Sequence, residues 1–181
     1  MKTVALLFLL AATSLISAQQ TRREAGHAAN PANDRRPNNP GLPDVSVVES
    51  HIDRVVILRF RFGTDLLAGL KSTIQKQGIR NAIILSGFGS VRNYQVHQVS
   101  NRDLPSKDTF VKDPTAPADI VSMSGMVMNG RVHAHMTLAN ADKAFGGHLE
   151  PDTNVFTFAV ITLGVLDDKL DLNRIDDVNN R

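Results

Sequence analysis

The chain has 181 residues, 42% of them hydrophobic, enough to close one core and short for two. It holds no cysteine, which excludes disulfide cross-links, thiolate metal sites and cysteine nucleophiles. The formal charge of +2 comes from the N-terminal part, since from Val45 onward fifteen basic residues balance fifteen acidic ones; net charge therefore argues against nucleic acid as a partner.

Met1 and Lys2 precede an apolar run from Val4 to Ala12, which continues through Leu15 and Ile16 and gives way to Ser17, Ala18, Gln19 and Gln20. One positive residue, an apolar stretch short for a bilayer and a small residue at a cleavage position predict a signal peptide over residues 1–18. The protein is then exported, either periplasmic or secreted, with no membrane segment after cleavage. An uncleaved anchor is the alternative, kept open by Arg22 and Arg23. Residues 19–44 are rich in Asn, Pro, Ala and Arg with almost no large apolar side chain. They bury too little to offset their ordering entropy, and predict a disordered linker in which His27 is solvated.

The folded domain is expected over residues 45–181. Val55 to Phe62 is a β-branched and aromatic run that predicts a strand, ended by Gly63. Thr64 is placed to cap a helix, Asp65 favours its positive end, and Leu66, Leu67, Leu70 and Ile74 recur at helical spacing up to Gln77, with Gly78 as the stop. Ala82–Leu85 predicts a short strand broken by the glycines of Ser86-Gly87-Phe88-Gly89-Ser90, with Val91–Val99 resuming as a second strand. The Gly-rich stretch is followed by a strand and not by a helix N-terminus, so it is read as structural and not as a phosphate loop. Residues 101–117 carry charges and three prolines and predict a long loop. Strands follow over Ile120–Met128, Arg131–Leu138, Phe145–Leu149 and Val155–Leu166, with Asn129-Gly130 and Pro151-Asp152 as turns. The sum is an α+β fold: a mostly antiparallel or mixed sheet with one main helix packed on it.

Alternation along Arg131–Leu138 puts Arg131, His133, His135 and Thr137 on one face and Val132, Ala134, Met136 and Leu138 on the other. Side chains two apart on a strand lie about 7 Å apart at Cα, close enough for both imidazoles to reach one metal ion. His148 follows Gly146-Gly147, whose lack of side chains lets a backbone or a ligand come close. Three imidazoles with an open fourth position suit Zn²⁺, with Fe or Ni as alternatives, and a small ligand or anion completing the shell. The competing reading is an ordinary half-exposed strand pattern. Glu150, in phase with His148, is a candidate base or hydrogen-bond partner for a ligating ring, against an exposed structural carboxylate; with Gly146 and Gly147 it completes a candidate ligand-binding set. His97 and His51 have no comparable company in the sequence. No Gly-x-Ser-x-Gly elbow is present, so nucleophilic hydrolysis has no support, and whether the protein is an enzyme stays open.

The segments R-V-V-I-L-R-F-R-F-G-T-D-L, G-I-R-N-A-I-I-L-S-G-F-G-S-V-R, V-S-M-S-G-M-V, H-A-H-M-T-L-A-N and F-G-G-H-L stand in this order. Together they resemble the plants and prokaryotes conserved (PPC) domain, over about Asp53 to Arg174. The resemblance implies a compact α/β domain assembling as a trimer, found as stand-alone bacterial proteins and joined to AT-hooks in plant nuclear proteins. It also implies that His133, His135, Gly146, Gly147, His148 and Leu149 match the family's H-x-H and G-G-H-L motif, a metal site in bacterial members. Where many relatives carry P-G-E-D before the helix, this chain has Phe62, Gly63, Thr64 and Asp65. The Arg-Gly-Arg-Pro core of an AT-hook is missing, and Arg35-Arg36-Pro37 is a poor substitute. Three readings follow: an exported metal-binding trimer, a non-catalytic assembly or partner-binding module, and the DNA-binding role that such domains are often given.

Overall fold

A computed structural model describes residues 22–27, 41–102 and 106–175. Its elements are β1 (Arg22–His27), β2 (Ile52–Arg61), helix α1 (Leu66–Lys76), β3 (Ala82–Val99), β4 (Lys107–Asp113), β5 (Ala118–Met128), β6 (Arg131–Ala139), β7 (Ala144–Leu149), β8 (Asn154–Leu166) and a short 3₁₀ turn, Leu172–Arg174. The segment read as a signal peptide lies outside the described residues. Among those described, no helix is long and apolar enough to cross a membrane.

The helix buries the stripe that its sequence spacing predicts, Leu66, Leu67, Leu70 and Ile74. These join Phe60 of β2, Val132, Ala134, Met136 and Leu138 of β6, and Ile161 and Leu163 of β8 in one core. The cap is Asp65 and not Thr64: its carboxylate accepts from the Ala68 amide at 2.7 Å and from the Asp152 amide at 2.7 Å. A charged oxygen meets the helix's positive end there and also pins the turn before β8. Gly78 closes the helix at φ +60°, where a side chain would be strained.

All the strand pairings among the described residues are antiparallel. β3 organises them. Its first part pairs with β8 and β5, and its last part with β4 and β7. Because β5, β6 and β7 pair in succession, the circuit from β3 through them returns to β3 and closes the sheet on itself. β2 extends it beyond β8, and β1 beyond β4.

The structure corrects three further expectations. Residues 82–99 form one strand and not two separated by a glycine turn. The glycines serve close packing: a Cβ on Gly87 would lie 2.7 Å from the Met123 side chain, and one on Gly89 would lie 2.3 Å from the Phe158 carbonyl oxygen. Register irregularities against β8 at Ile84/Ser86 and Gly89/Val91 absorb the local bend. Residues 101–117, read as loop, contain β4, a charged strand that pairs through its backbone with β3 and adds only Val111 to the edge of the core. In the segment read as a linker, Arg22–His27 likewise pairs with β4 through its backbone.

Candidate metal centre

Cross-strand pairing carries the histidines to one place. Ser124 of β5 sits opposite His135 of β6, His135 opposite His148 of β7, and His148 opposite His97 of β3. These four residues form one row across four strands, and directly opposed side chains share a face at close range. His133, two residues before His135, stands beside that row.

The rings of His133, His135 and His148 have centroids 5.2, 5.0 and 5.4 Å apart in the three pairings. Nε2 of His133 and Nε2 of His135 face each other at 3.2 Å. Two nitrogens bound to one tetrahedral zinc at its usual bond length stand about 3.3 Å apart, so this pair already has the spacing that such an ion imposes. The donor set is also suitable, since neutral imidazoles favour divalent ions of this class.

Behind His148 lies Glu150, whose Oε1 accepts from Nδ1 of His148 at 3.0 Å and from Nδ1 of His97 at 2.6 Å. All three side chains are partly buried. With Nδ1 engaged, His148 keeps Nε2 as its metal-binding nitrogen, the arrangement by which a carboxylate fixes the tautomer of a ligating histidine. Burial pushes the Glu150 carboxyl up, but hydrogen bonds from His148 and His97, with the charges of both rings, outweigh it and hold it down at about 2. The bond to Glu150 raises the His97 imidazole, against the opposing effect of burial, with Asp108 adding to the rise. Burial lowers His135, and His133, His148 and His97 lower it further, so the H-x-H strand presents a ring that resists protonation.

The structure brings together all three histidines singled out in the sequence, and Glu150 with them. It also corrects the reading of His97, which stacks on His148 at 4.5 Å between centroids. His97, His148 and Glu150 have ligand atoms all within 4.8 Å of one another, so they too can hold a metal ion. The signal for His97 was weak: an in-phase histidine on a strand whose partner β7 is known only once the sheet closes. His51 stays apart, paired with Asp53 at 2.8 Å near the surface.

Gly146 and Gly147 make room for backbone. A Cβ on Gly146 would lie 2.1 Å from the Met136 carbonyl oxygen, and one on Gly147 would lie 2.2 Å from that of His97. The pair lets β7 approach β6 on one side and β3 on the other, which sets the position of His148.

Comparison with known proteins agrees with this architecture. The family model described as the Plants and Prokaryotes Conserved (PCC) domain matches residues 48–167. No curated protein matches the chain. Among solved structures, the metal-containing protein from Archaeoglobus fulgidus is 25% identical with a TM-score of 0.56, covering 70% of this chain and 89% of its own. A plant- and prokaryote-conserved protein from Pyrococcus horikoshii is 24% identical with a TM-score of 0.55, covering 68% and 85%. A candidate DNA-binding protein from Bacteroides thetaiotaomicron is 19% identical with a TM-score of 0.52, covering 65% and 82%; at that identity the likeness speaks for the fold alone.

Proposed function

The chain belongs to the Plants and Prokaryotes Conserved domain family, and from that premise we propose that it is an exported homotrimer binding one divalent metal ion, zinc foremost, with Fe or Ni as alternatives. The ligands in this reading are His133, His135 and His148, with Glu150 and His97 supporting His148 from behind. The observation that carries it is the convergence of the three rings, with two Nε2 atoms at 3.2 Å. That the solved relative from Archaeoglobus fulgidus is a metal-containing protein supports it. A metal bound by three imidazoles polarises a bound water or carbonyl oxygen. The chain's own residues orient the ligands, and the low-lying carboxylate of Glu150 keeps a proton on Nδ1 of His148.

Assembly has its own support. Val55 and Ile57 of β2, Phe88 of β3, Val121 of β5 and Phe156 and Phe158 of β8 are all exposed. Several of them line an apolar hollow of about 740 Å³ that contains none of the histidines. Exposed apolar surface of this kind marks contact faces, and a second copy of the chain is the occupant that the trimer reading supplies. Export rests on the apolar segment at residues 4–16.

Elemental analysis of purified protein tests the metal reading. One metal per chain in the wild type, lost in the His133→Ala/His135→Ala variant, supports it. Metal-free protein after growth with added zinc overturns it. A His97→Ala variant separates the two ligand sets: retained metal places the ion on the H-x-H side, and lost metal places it among His97, His148 and Glu150.

A further inference from the structure

Beside the histidine row runs a second one. Ser122 of β5 opposes Thr137 of β6, and Thr137 opposes Gly146 of β7. With Ser124, His135 and Gly147 these residues line a recess of about 300 Å³. Some hydroxyls of the fold are put to internal use: Thr73 bonds back to Gly69, Ser90 meets Thr157 at 2.6 Å, and Thr153 bonds to Gln95 and Glu150. The hydroxyls of Ser122, Ser124 and Thr137 find no side-chain partner among the described residues. Ser122 and Ser124 are exposed and Thr137 is half-buried, so the three stand together beside His135 as donors and acceptors open to a ligand.

The lining limits what that ligand can be. It contains no lysine or arginine, so a phosphate or polyanion would be left without counter-charge. It offers no aromatic wall, so a flat apolar ligand would gain little. The recess is at the small end of ligand sites, which admits a compound of a few carbons. Positive charge would come only from a metal ion held at the His135 end.

We propose that this recess binds a small hydroxy-carboxylate, with its single carboxylate toward His135 and the metal centre and its hydroxyls on Ser122, Ser124 and Thr137. The proposal rests on the metal-binding reading above for its charged end alone; the hydroxyl end stands independently.

Calorimetric titration of the zinc-treated full chain, with metal content measured on the same sample, tests it. The probes are glycerate, propionate as the hydroxyl-free acid of the same length, and glycerol as the carboxylate-free analogue. Two added hydrogen bonds make glycerate about tenfold or more tighter than propionate, and glycerol binds more weakly than glycerate. In a Ser122→Ala/Ser124→Ala/Thr137→Val variant, glycerate falls to the propionate level while metal content is unchanged. Ser124→Ala alone, at an exposed position, gives a partial loss should the triple variant misfold. Equal affinity for glycerate and propionate in metal-loaded protein overturns the recess and leaves the metal centre standing. Hydroxyl-dependent glycerate binding to metal-free protein upholds the recess and removes the metal reading.

Discussion

Replacing Glu150 by glutamine keeps the side chain's shape and removes the charge that holds His97 and His148 together. The carboxyl stands at about 2 instead of its ordinary 4.5, and each tenfold change in proton affinity is worth about 1.4 kcal/mol, so its ionised form contributes at most about 3 kcal/mol to the fold, less where solvent screens the pair. The sign follows from the direction of the change. A lowered carboxyl stabilises fully above 4.5, and the contribution is lost as pH falls from there through about 2. His97, raised by the same contact, contributes fully below its ordinary 6.5 and loses this as pH rises through its raised value. The two windows overlap near pH 5.5 and describe one interaction, counted once. Urea unfolding of chelator-treated protein at that pH therefore loses about 2 to 3 kcal/mol in Glu150→Gln, a drop of about 1 M in midpoint at ordinary urea sensitivity. The difference between wild type and variant closes as pH falls toward 2. Zinc affinity, read by chelator competition, falls about tenfold to a hundredfold because His148 loses its orienting partner. Coincident midpoints at pH 5.5 would refute the reasoning, because a carboxylate held by two rings cannot be removed without cost.

Three further outcomes are expected. Leu70, fully buried on α1, loses about 2 to 5 kcal/mol on replacement by alanine, and Leu70→Asp yields no folded protein; circular dichroism and urea titration report both. Gly146→Ala drives a methyl toward the Met136 carbonyl oxygen, so it lowers the melting temperature and, by displacing β7, lowers metal content, which thermal denaturation with elemental analysis measures. Ile57→Glu, on an exposed apolar face of β2, converts the proposed trimer to monomers in sedimentation without changing the circular dichroism spectrum.

Much of the fold is written in local periodicity. Helix α1 follows from the spacing of four apolar residues, and β6 from eight strictly alternating ones, which is why His133 and His135 could be assigned to one face. Where the structure departs from expectation, the deciding force is not local. Gly87 and Gly89 carry the usual signature of a turn, yet they lie within β3 because Met123 and the Phe158 backbone need the space of a missing Cβ. β4 was invisible because Lys107–Asp113 is held mainly by backbone pairing, and its apolar residues Phe110 and Val111 are adjacent among charged ones, which leaves no apolar rhythm to read. Ser122 and Ser124 sit in a strand whose polar face becomes meaningful only once its neighbour is known.

The closure of β3 on β7 is what turns a histidine motif into a site. β6 alone supplies His133 and His135, two rings on one strand that any half-exposed sheet could carry. The seam between β3 and β7 consists of Val96 opposite Leu149 and His97 opposite His148, and it can form only because Gly147 leaves room for the His97 carbonyl. Both seam apolar residues, Val96 and Leu149, are fully buried, so the hydrophobic core draws the two strands together. That pull delivers His148 to the first two rings and His97 to Glu150 in one step. The paired glycines, the third histidine and the acidic residue two positions on therefore form a single device. Its glycines set the strand spacing, its histidine completes the ring cluster, and its carboxylate fixes how that histidine is turned.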